Sequence, residues 1–170
     1  MVLKNYTYED IDDYFRLKSC NDVWKFSTNI PATNINVVRN QLHELINNQI
    51  KIDIGFCSIR EKSSNQYIGE ADILSINNIS ERCVVGYNLL PEFWNKGYAT
   101  EITRELIKYA FMNLSLERVE ALVMQANTAS CKVLEKAGFL KEGLLRNFSK
   151  INGDYHNVCY YGMVKDDFTK

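Results

Sequence analysis

Hydrophobic residues recur every three or four positions in some segments of this chain and every second position in others. Segments of the two kinds follow one another along the sequence. A spacing of three and four residues is typical of the buried stripe of a helix, and strict alternation is typical of a strand with one buried face. Helical spacing predicts helices over residues 7–18, 37–48, 98–113 and 129–136. Alternation predicts strands over residues 2–5, 52–59, 67–76, 82–89 and 118–124, and a final pair flanks Asn152 and Gly153. That dipeptide is the strongest hairpin signal in the chain.

The order of these elements, β-α-α-β-β-β-α-β-α-β-β, predicts the fold class. Antiparallel strands come first and a β-α-β unit lies in the middle, which indicates one mixed, mostly antiparallel sheet with helices on both faces. The sequence contains no repeat, low-complexity tract or linker, and 170 residues are enough to bury a core without disulfide or metal support. We therefore expect a single mixed α/β (α+β) domain over residues 1–170.

Composition and charge exclude several classes of function. A formal net charge of −1 gives no electrostatic reason to expect a nucleic-acid partner. The five cysteines are scattered, form no C-x-x-C pair and do not cluster with His43 or His156, so free thiols in a reducing cytosol are expected and a metal site is not. The N-terminus lacks an apolar leader and no 18-residue apolar run exists, which predicts a soluble, cytoplasmic protein without a membrane partner.

A loop between a predicted strand and a predicted helix carries the first candidate chemistry. It runs from Trp94 to Glu101 and holds Gly97, the small Ala99 and the cation of Lys96. Unpaired backbone N–H groups and the helix dipole converge at such a point, and glycine lets the backbone approach a ligand closely. The pattern fits a phosphate or pyrophosphate site. Taken alone, it also fits a plain helix start.

Further motifs follow in a fixed order. They are Gly86-Tyr87 before the loop, Asn127-Thr128-Ala129-Ser130 after it, Leu134-Glu135-Lys136 with Gly138-Phe139, Glu142-Gly143, and Asn152-Gly153. Together with the loop they resemble the GNAT superfamily of acetyl-CoA-dependent N-acetyltransferases, over nearly the whole chain. More narrowly, they resemble the RimJ/RimL-like branch, which acetylates the N-termini of ribosomal proteins.

The resemblance implies how acetyl-CoA would be held. In this superfamily the sheet splays open after the fourth strand, and the pantetheine arm pairs with the freed backbone groups, here from about Tyr87 to Leu90. A backbone N–H near Leu89 would bind the thioester carbonyl and the oxyanion formed on attack; Leu89 and Leu90 also fit ordinary core positions. The pyrophosphate would lie on the amides of Asn95, Lys96, Gly97, Tyr98, Ala99 and Thr100.

The resemblance also implies two polar side chains beside the cofactor. Asn127 would contact the pantetheine, and the hydroxyl of Ser130 would lie near the cofactor sulfur, where it would hydrogen-bond or protonate the leaving thiolate. Many superfamily members use a tyrosine at the position of Leu134, which makes Ser130 the better candidate here. The same Asn-x-x-Ser pattern fits a simple helix cap. Lys132 and Lys136 fit either the 3′-phosphate or a solvated surface.

Several positions depart from the branch pattern, and the base that deprotonates the acceptor amine is not singled out. Trp94 and Asn95 replace more usual loop residues, although asparagine tolerates a left-handed backbone. An acidic residue common in the branch is Val84 here, and the hairpin's usual aspartate is Asn157. The carboxylates considered as bases or as structural groups are Glu70 and Asp72, whose repulsion could raise one pKa, Glu101 in the first helical turn, and Glu120.

The sequence therefore predicts an N-acetyltransferase that moves an acetyl group from acetyl-CoA to a primary amine by direct attack in a ternary complex. The acceptor is a protein N-terminus or a small molecule, and acidic residues of the first helix, such as Asp12 and Asp13, would attract a cationic one only if they faced the cleft. A non-catalytic acyl-CoA-binding sensor is the alternative, and a structural, dimer-forming protein is a third. A homodimer stays open. The motifs of serine hydrolases and P-loop proteins are absent.

Overall fold

A seven-stranded mixed sheet organises the part of the chain that the computed structural model describes, residues 1–49 and 55–168. Its strands are β1 (Val2–Lys4), β2 (Phe56–Arg60), β3 (Tyr67–Asn77), β4 (Arg82–Leu89), β5 (Arg118–Met124), β6 (Leu140–Ile151) and β7 (Asp154–Val164). Their order across the sheet is β1-β2-β3-β4-β5-β7-β6. All neighbours are antiparallel except β4 and β5, which the helix of the β-α-β unit connects in parallel.

Helices cover both faces of this sheet. They are α1 (Ile11–Ser19), α2 (Asn21–Trp24), α3 (Ile35–Gln49), α4 (Tyr98–Met112), α5 (Thr128–Ala137) and α6 (Lys165–Phe168). Lys18 of α1 reaches Glu70 on β3, whereas Ser130 of α5 meets Tyr87 on β4. Glu70 pairs with Asn88, the neighbour of Tyr87, and successive side chains alternate between faces, so α1 and α5 lie on opposite faces.

The parallel pair in the middle of the sheet is short. β4 and β5 pair only where Arg82, Cys83 and Val84 face Arg118, Val119 and Glu120. Beyond this point β4 continues to Leu89 and β5 to Met124 without pairing to each other. The sheet is therefore splayed in its middle, as predicted.

The order of the long elements also agrees with the prediction. The strand predicted over residues 52–59 lies partly outside the described residues, and its described part begins at Phe56. The predicted helices correspond to α1, α3, α4 and α5, with ends shifted by a few residues. The prediction missed α2 and α6, because four residues are too few to show a helical period.

The hydrophobic core lies between the sheet and its helices. Its least exposed members include Leu17, Leu42, Ile68, Ile102 and Ile107. All five cysteines are free thiols, and within the described ranges no group of three or more His, Cys, Asp or Glu side chains is placed to hold a metal ion. Among the helices described here, none is long and apolar enough to span a membrane.

Candidate active site

The gap between β4 and β5 exposes backbone groups that a normal sheet would pair. The N–H of Leu90 donates to the carbonyl of Ile68, 3.0 Å away, and this bond fixes the phase of the antiparallel ladder between β3 and β4. Because hydrogen-bonded pairs alternate, Asn88 points its backbone groups at Glu70, while Tyr87 and Leu89 point theirs away from β3. Tyr87 and Leu89 therefore face the gap, where an extended ligand can pair with them.

The end of β4 is held by the tryptophan of the following loop. The Trp94 indole N–H donates to the Leu89 carbonyl at 2.7 Å. This bond occupies the carbonyl of Leu89, whereas its N–H still faces the gap. Leu90 differs from the prediction, because its N–H is bound to Ile68 and its carbonyl accepts from Phe93 at 3.0 Å. Leu90 has no free backbone group for a cofactor, and its role is that of a core residue with 1 % exposure.

The loop before α4 forms a cradle of free amides. Asn95 (φ 58°) and Gly97 (φ 85°) both adopt left-handed conformations, as their residue types allow. Within the described residues, no acceptor binds the backbone N–H groups of residues 95–100, and the first bond of the helix runs from Glu101 to the Gly97 carbonyl. A Cβ at Gly97 would meet no atom within 4 Å, so the space above the cradle is open. This geometry fits a pyrophosphate.

Ser130 lies on the far side of the gap with a tyrosine beside it. The Tyr87 hydroxyl donates to Ser130 Oγ at 3.3 Å, and burial raises the pKa of the Tyr87 phenol, so this phenol stays protonated. Asn127 caps α5, because its Oδ1 accepts from the Ser130 N–H at 3.2 Å. The sequence suggested Tyr87 only for its backbone groups. Its proximity to Ser130 joins residues 43 positions apart and has no local signal.

Three charged candidates lie at the surface rather than in the cleft. Glu101 is half exposed and forms an ion pair of 2.9 Å with the Met1 ammonium, and its catalytic role stays a prediction. Lys96 is exposed beside the Phe93 ring, where it is free to reach an anion on the cradle. Lys136 is also exposed, and its carbonyl accepts from Arg104 of α4.

Two carboxylates line the cleft where β4 and β5 separate. The cavity there measures about 320 Å³, and Glu70, Asp72, Tyr87 and Ser130 contribute to its walls. Glu70 is fully buried and accepts two hydrogen bonds from Lys18, at 2.8 and 3.0 Å. Burial first, and then repulsion from Glu70, raises the pKa of Asp72 to about 7. One pKa of this pair is therefore raised as predicted, but burial contributes more to the rise than the repulsion on which the prediction was based.

Glu120 and Asn157 have structural contacts. Glu120 is bound by Arg82 at 2.7 Å and by Arg118 at 2.8 Å. Burial acts to raise its pKa, but hydrogen bonds from Arg118 and Tyr160 lower it overall, so Glu120 stays ionised and clamps the short parallel pair. Asn157 accepts from the Asn147 N–H and donates to the Gln125 side chain, both at 3.0 Å.

Comparison with known proteins agrees with this geometry. Residues 1–140 match the family model of the acetyltransferase (GNAT) domain. An uncharacterized N-acetyltransferase p20 of Bacillus licheniformis is 30% identical over 168 residues, covering 99% of this chain and 94% of the relative. The putative ribosomal N-acetyltransferase YdaF of Bacillus subtilis is 34% identical over 100 residues, covering 59% of this chain and 55% of that protein.

A solved structure shows the same fold. The spermidine N-acetyltransferase of Vibrio cholerae, in complex with CoA and spermine, superposes with a TM-score of 0.85 at 22% identity, over 99% of this chain and 98% of that one. The predicted fold class is therefore confirmed. Since the family model matches residues 1–140 and the relative from Bacillus licheniformis aligns over 99% of this chain, the chain belongs to the GNAT family of acetyltransferases and uses acetyl-CoA as its acetyl donor.

Proposed function

We propose that this acetyltransferase transfers its acetyl group directly to a primary amine, with donor and acceptor bound together. The observation that carries the proposal is the cleft itself, which opens through the gap between β4 and β5 and exposes polar groups of both faces. No covalent acyl-enzyme is needed, because the two bound molecules can meet in the gap. The acids and hydroxyls in the cleft favour an enzyme over a cofactor-binding sensor.

The residues of this chain divide the work of binding and proton transfer. The amides of residues 95–100 would hold the pyrophosphate, and the backbone of Tyr87 and Leu89 would pair with the pantetheine arm. The Leu89 N–H would stabilise negative charge on the carbonyl oxygen during transfer. Acetyl-CoA supplies the activated acetyl group and a thiolate leaving group. Ser130 Oγ is placed to donate a proton to the leaving thiolate. The Tyr87 hydroxyl, which donates a hydrogen bond to Ser130 Oγ, can then give the serine a new proton.

A small-molecule amine is the acceptor that we propose. A second cavity of about 700 Å³ adjoins the cleft and shares Lys18, Trp24, Asn29 and Phe56 with it. Its size suits a compact ligand. The CoA- and spermine-bound spermidine N-acetyltransferase supports an amine of this kind. A protein N-terminus, the acceptor expected of the RimJ/RimL-like branch, is the second candidate, and similarity to the putative ribosomal N-acetyltransferase YdaF favours it. A cytoplasmic location remains a prediction.

Calorimetric titration with acetyl-CoA, followed by free-thiol release against panels of polyamines, amino acids and N-terminal peptides, tests the proposal. We expect binding and turnover on the small amines. Ser130→Ala should lower kcat by about 100-fold. Its affinity for acetyl-CoA should change little, and Ser80→Ala on an exposed turn is the matched control. Binding without turnover on any panel would contradict the proposed enzymatic activity. Turnover on peptides alone would show that the acceptor is a protein N-terminus.

A further inference from the structure

Asp72 is a buried carboxylate of the cleft with no hydrogen-bond donor assigned to it among the described residues. It is 7 % exposed and lines the cavity, whereas its neighbour Glu70 is bound by both Lys18 and Asn88. We propose that Asp72 accepts the proton of the acceptor amine and that the Lys18–Glu70 ion pair positions it and sets its basicity. The proposal deepens the proposed function and rests on it.

The alternation of side chains along β3 places Asp72 on the face of the sheet that α1 covers. Asp72 pairs with Gly86, so its side chain is on the same face as Glu70 and α1, while Tyr87 is on the face of α5. Both line one cavity because the gap opens through the sheet. An amine that enters beside α1 would thus meet the proton acceptor on one face, and the departing sulfur would meet Ser130 on the other.

Gly86 provides the space for this carboxylate. A Cβ at residue 86 would lie 2.8 Å from Asp72 Oδ1, closer than real contacts allow, and 3.0 Å from Oδ2. The aspartate therefore lies directly over the bare backbone of β4, at the point where β4 leaves β5. That position is next to Tyr87, whose backbone faces the gap, and so next to the site of transfer.

The charges around Asp72 leave it able to exchange a proton near neutral pH. Glu70 faces it from its own strand and Lys18 faces it from α1, while Cys57 is the titratable neighbour on β2. β4 contributes the uncharged Gly86 and Asn88. Burial and Glu70 raise the pKa of Asp72 to about 7, and Lys18 opposes them. A base with such a pKa is matched to its task at physiological pH.

Lys18 is fixed more firmly than a surface lysine. Its Nζ donates to both oxygens of Glu70 and lies 4.9 Å from the centre of the Tyr14 ring and 4.7 Å from that of Trp24. The positive charge of Lys18 is therefore bound by groups of the protein itself, namely one carboxylate and two aromatic rings. Lys18 and Glu70 do not touch the reacting atoms in this arrangement; they act through Asp72 and are positioning residues.

The proton balance of the reaction assigns Asp72 a single step. The acceptor ammonium gives one proton to a carboxylate oxygen of Asp72, and the nitrogen keeps the electron pair that forms the C–N bond to the acetyl carbon. The C–S bond breaks and its electron pair stays on sulfur, which takes up one proton. The nitrogen loses a second proton as the amide forms, which balances the proton taken up by sulfur, and Asp72 returns its own to water.

Asp72→Asn tests the proton transfer, because asparagine keeps the size of the side chain and removes the base. We expect kcat/KM to fall by about 100-fold to 10,000-fold. The rise of kcat/KM with a midpoint near pH 7 should disappear, while acetyl-CoA affinity in calorimetry stays within about twofold. Glu105→Gln, on the exposed side of α4, is the matched control and should behave as wild type.

The positioning role of Lys18 and Glu70 can be measured as a shift in the pH profile of kcat/KM, which a purely structural role would leave unchanged. Removing the Lys18 charge in Lys18→Met should shift the midpoint of the pH profile upwards, and removing the like charge in Glu70→Gln should shift it downwards. Unchanged turnover in Asp72→Asn, or shifts in the same direction in the two other variants, would overturn the inference. If the wild type itself shows no turnover, the proposed function fails instead.

Discussion

The left-handed glycine in the cradle of free amides allows a quantitative test of the proposed phosphate site. Gly97 has φ 85°, and an added Cβ would meet no atom within 4 Å, so Gly97→Ala introduces no clash. Its cost is the backbone strain alone, about 1–2 kcal/mol for a residue with a Cβ in this conformation. The surrounding loop is exposed and its amides have no acceptor within the described chain, so little prevents the loop from relaxing.

The cost should therefore appear in cofactor binding. If acetyl-CoA binds the amides of residues 95–100 as proposed, it must restore the left-handed conformation. At about 1.4 kcal/mol for each factor of ten, the Kd should rise about 5-fold to 30-fold. Isothermal titration measures this directly, and the melting temperature should change little.

A second glycine of the same conformation is the control. Gly153 has φ 96° and equally open space, but it lies in the hairpin between β6 and β7, where paired strands on both sides prevent relaxation. Gly153→Ala should keep its strain and lower the melting temperature by about 2–8 °C. Its Kd for acetyl-CoA should not change. If Gly97→Ala bound acetyl-CoA as tightly as Gly153→Ala, the cradle would not depend on this conformation.

Three further substitutions have expected outcomes in thermal unfolding. Trp94→Phe loses the bond to the Leu89 carbonyl, worth about 1 kcal/mol, and should lower the melting temperature by about 2–4 °C; no change would mean that this bond does not hold the strand end. Asn157→Asp should be tolerated, because the Gln125 amide can rotate to donate instead, and a large loss of stability would contradict this. The pKa of Asp72 is raised from 3.8 to about 7 by folding, so wild-type stability should fall as pH rises across that window; Asp72→Asn should lack this fall, and parallel pH curves would refute the sign.

Local patterns predicted the helices and strands and the backbone conformation of the loop before α4. The left-handed conformations of Asn95 and Gly97 follow from residue type, and the strand from Arg118 to Met124 follows from its alternation. Each of these features is determined within a few neighbouring residues. For this reason the loop of free amides could be predicted before any tertiary contact was known, and its role as a pyrophosphate site stays a prediction.

The side-chain chemistry of the cleft depends on contacts that local patterns do not encode. Lys18 and Glu70 are 52 residues apart, and the fit of Asp72 over Gly86 depends on the register of two strands. Glu120 has the same local character as a candidate base, yet two arginines bind it. The sequence could name the carboxylates but could not rank them, because the ranking depends on which of them remains free of a cation.

The short pairing between β4 and β5 divides the sheet mechanically into two halves. Three facing residue pairs join them, and on either side the ladders from β1 to β4 and from β5 to β6 are continuous. A ligand that pairs with Tyr87 and Leu89 would act as a strand between the halves and couple their fluctuations. Amide hydrogens along the inner edges of β4 and β5 should then exchange with solvent much more slowly once acetyl-CoA is bound, while those between β2 and β3 should hardly change. The donor molecule would thus complete the sheet as well as supply the acetyl group.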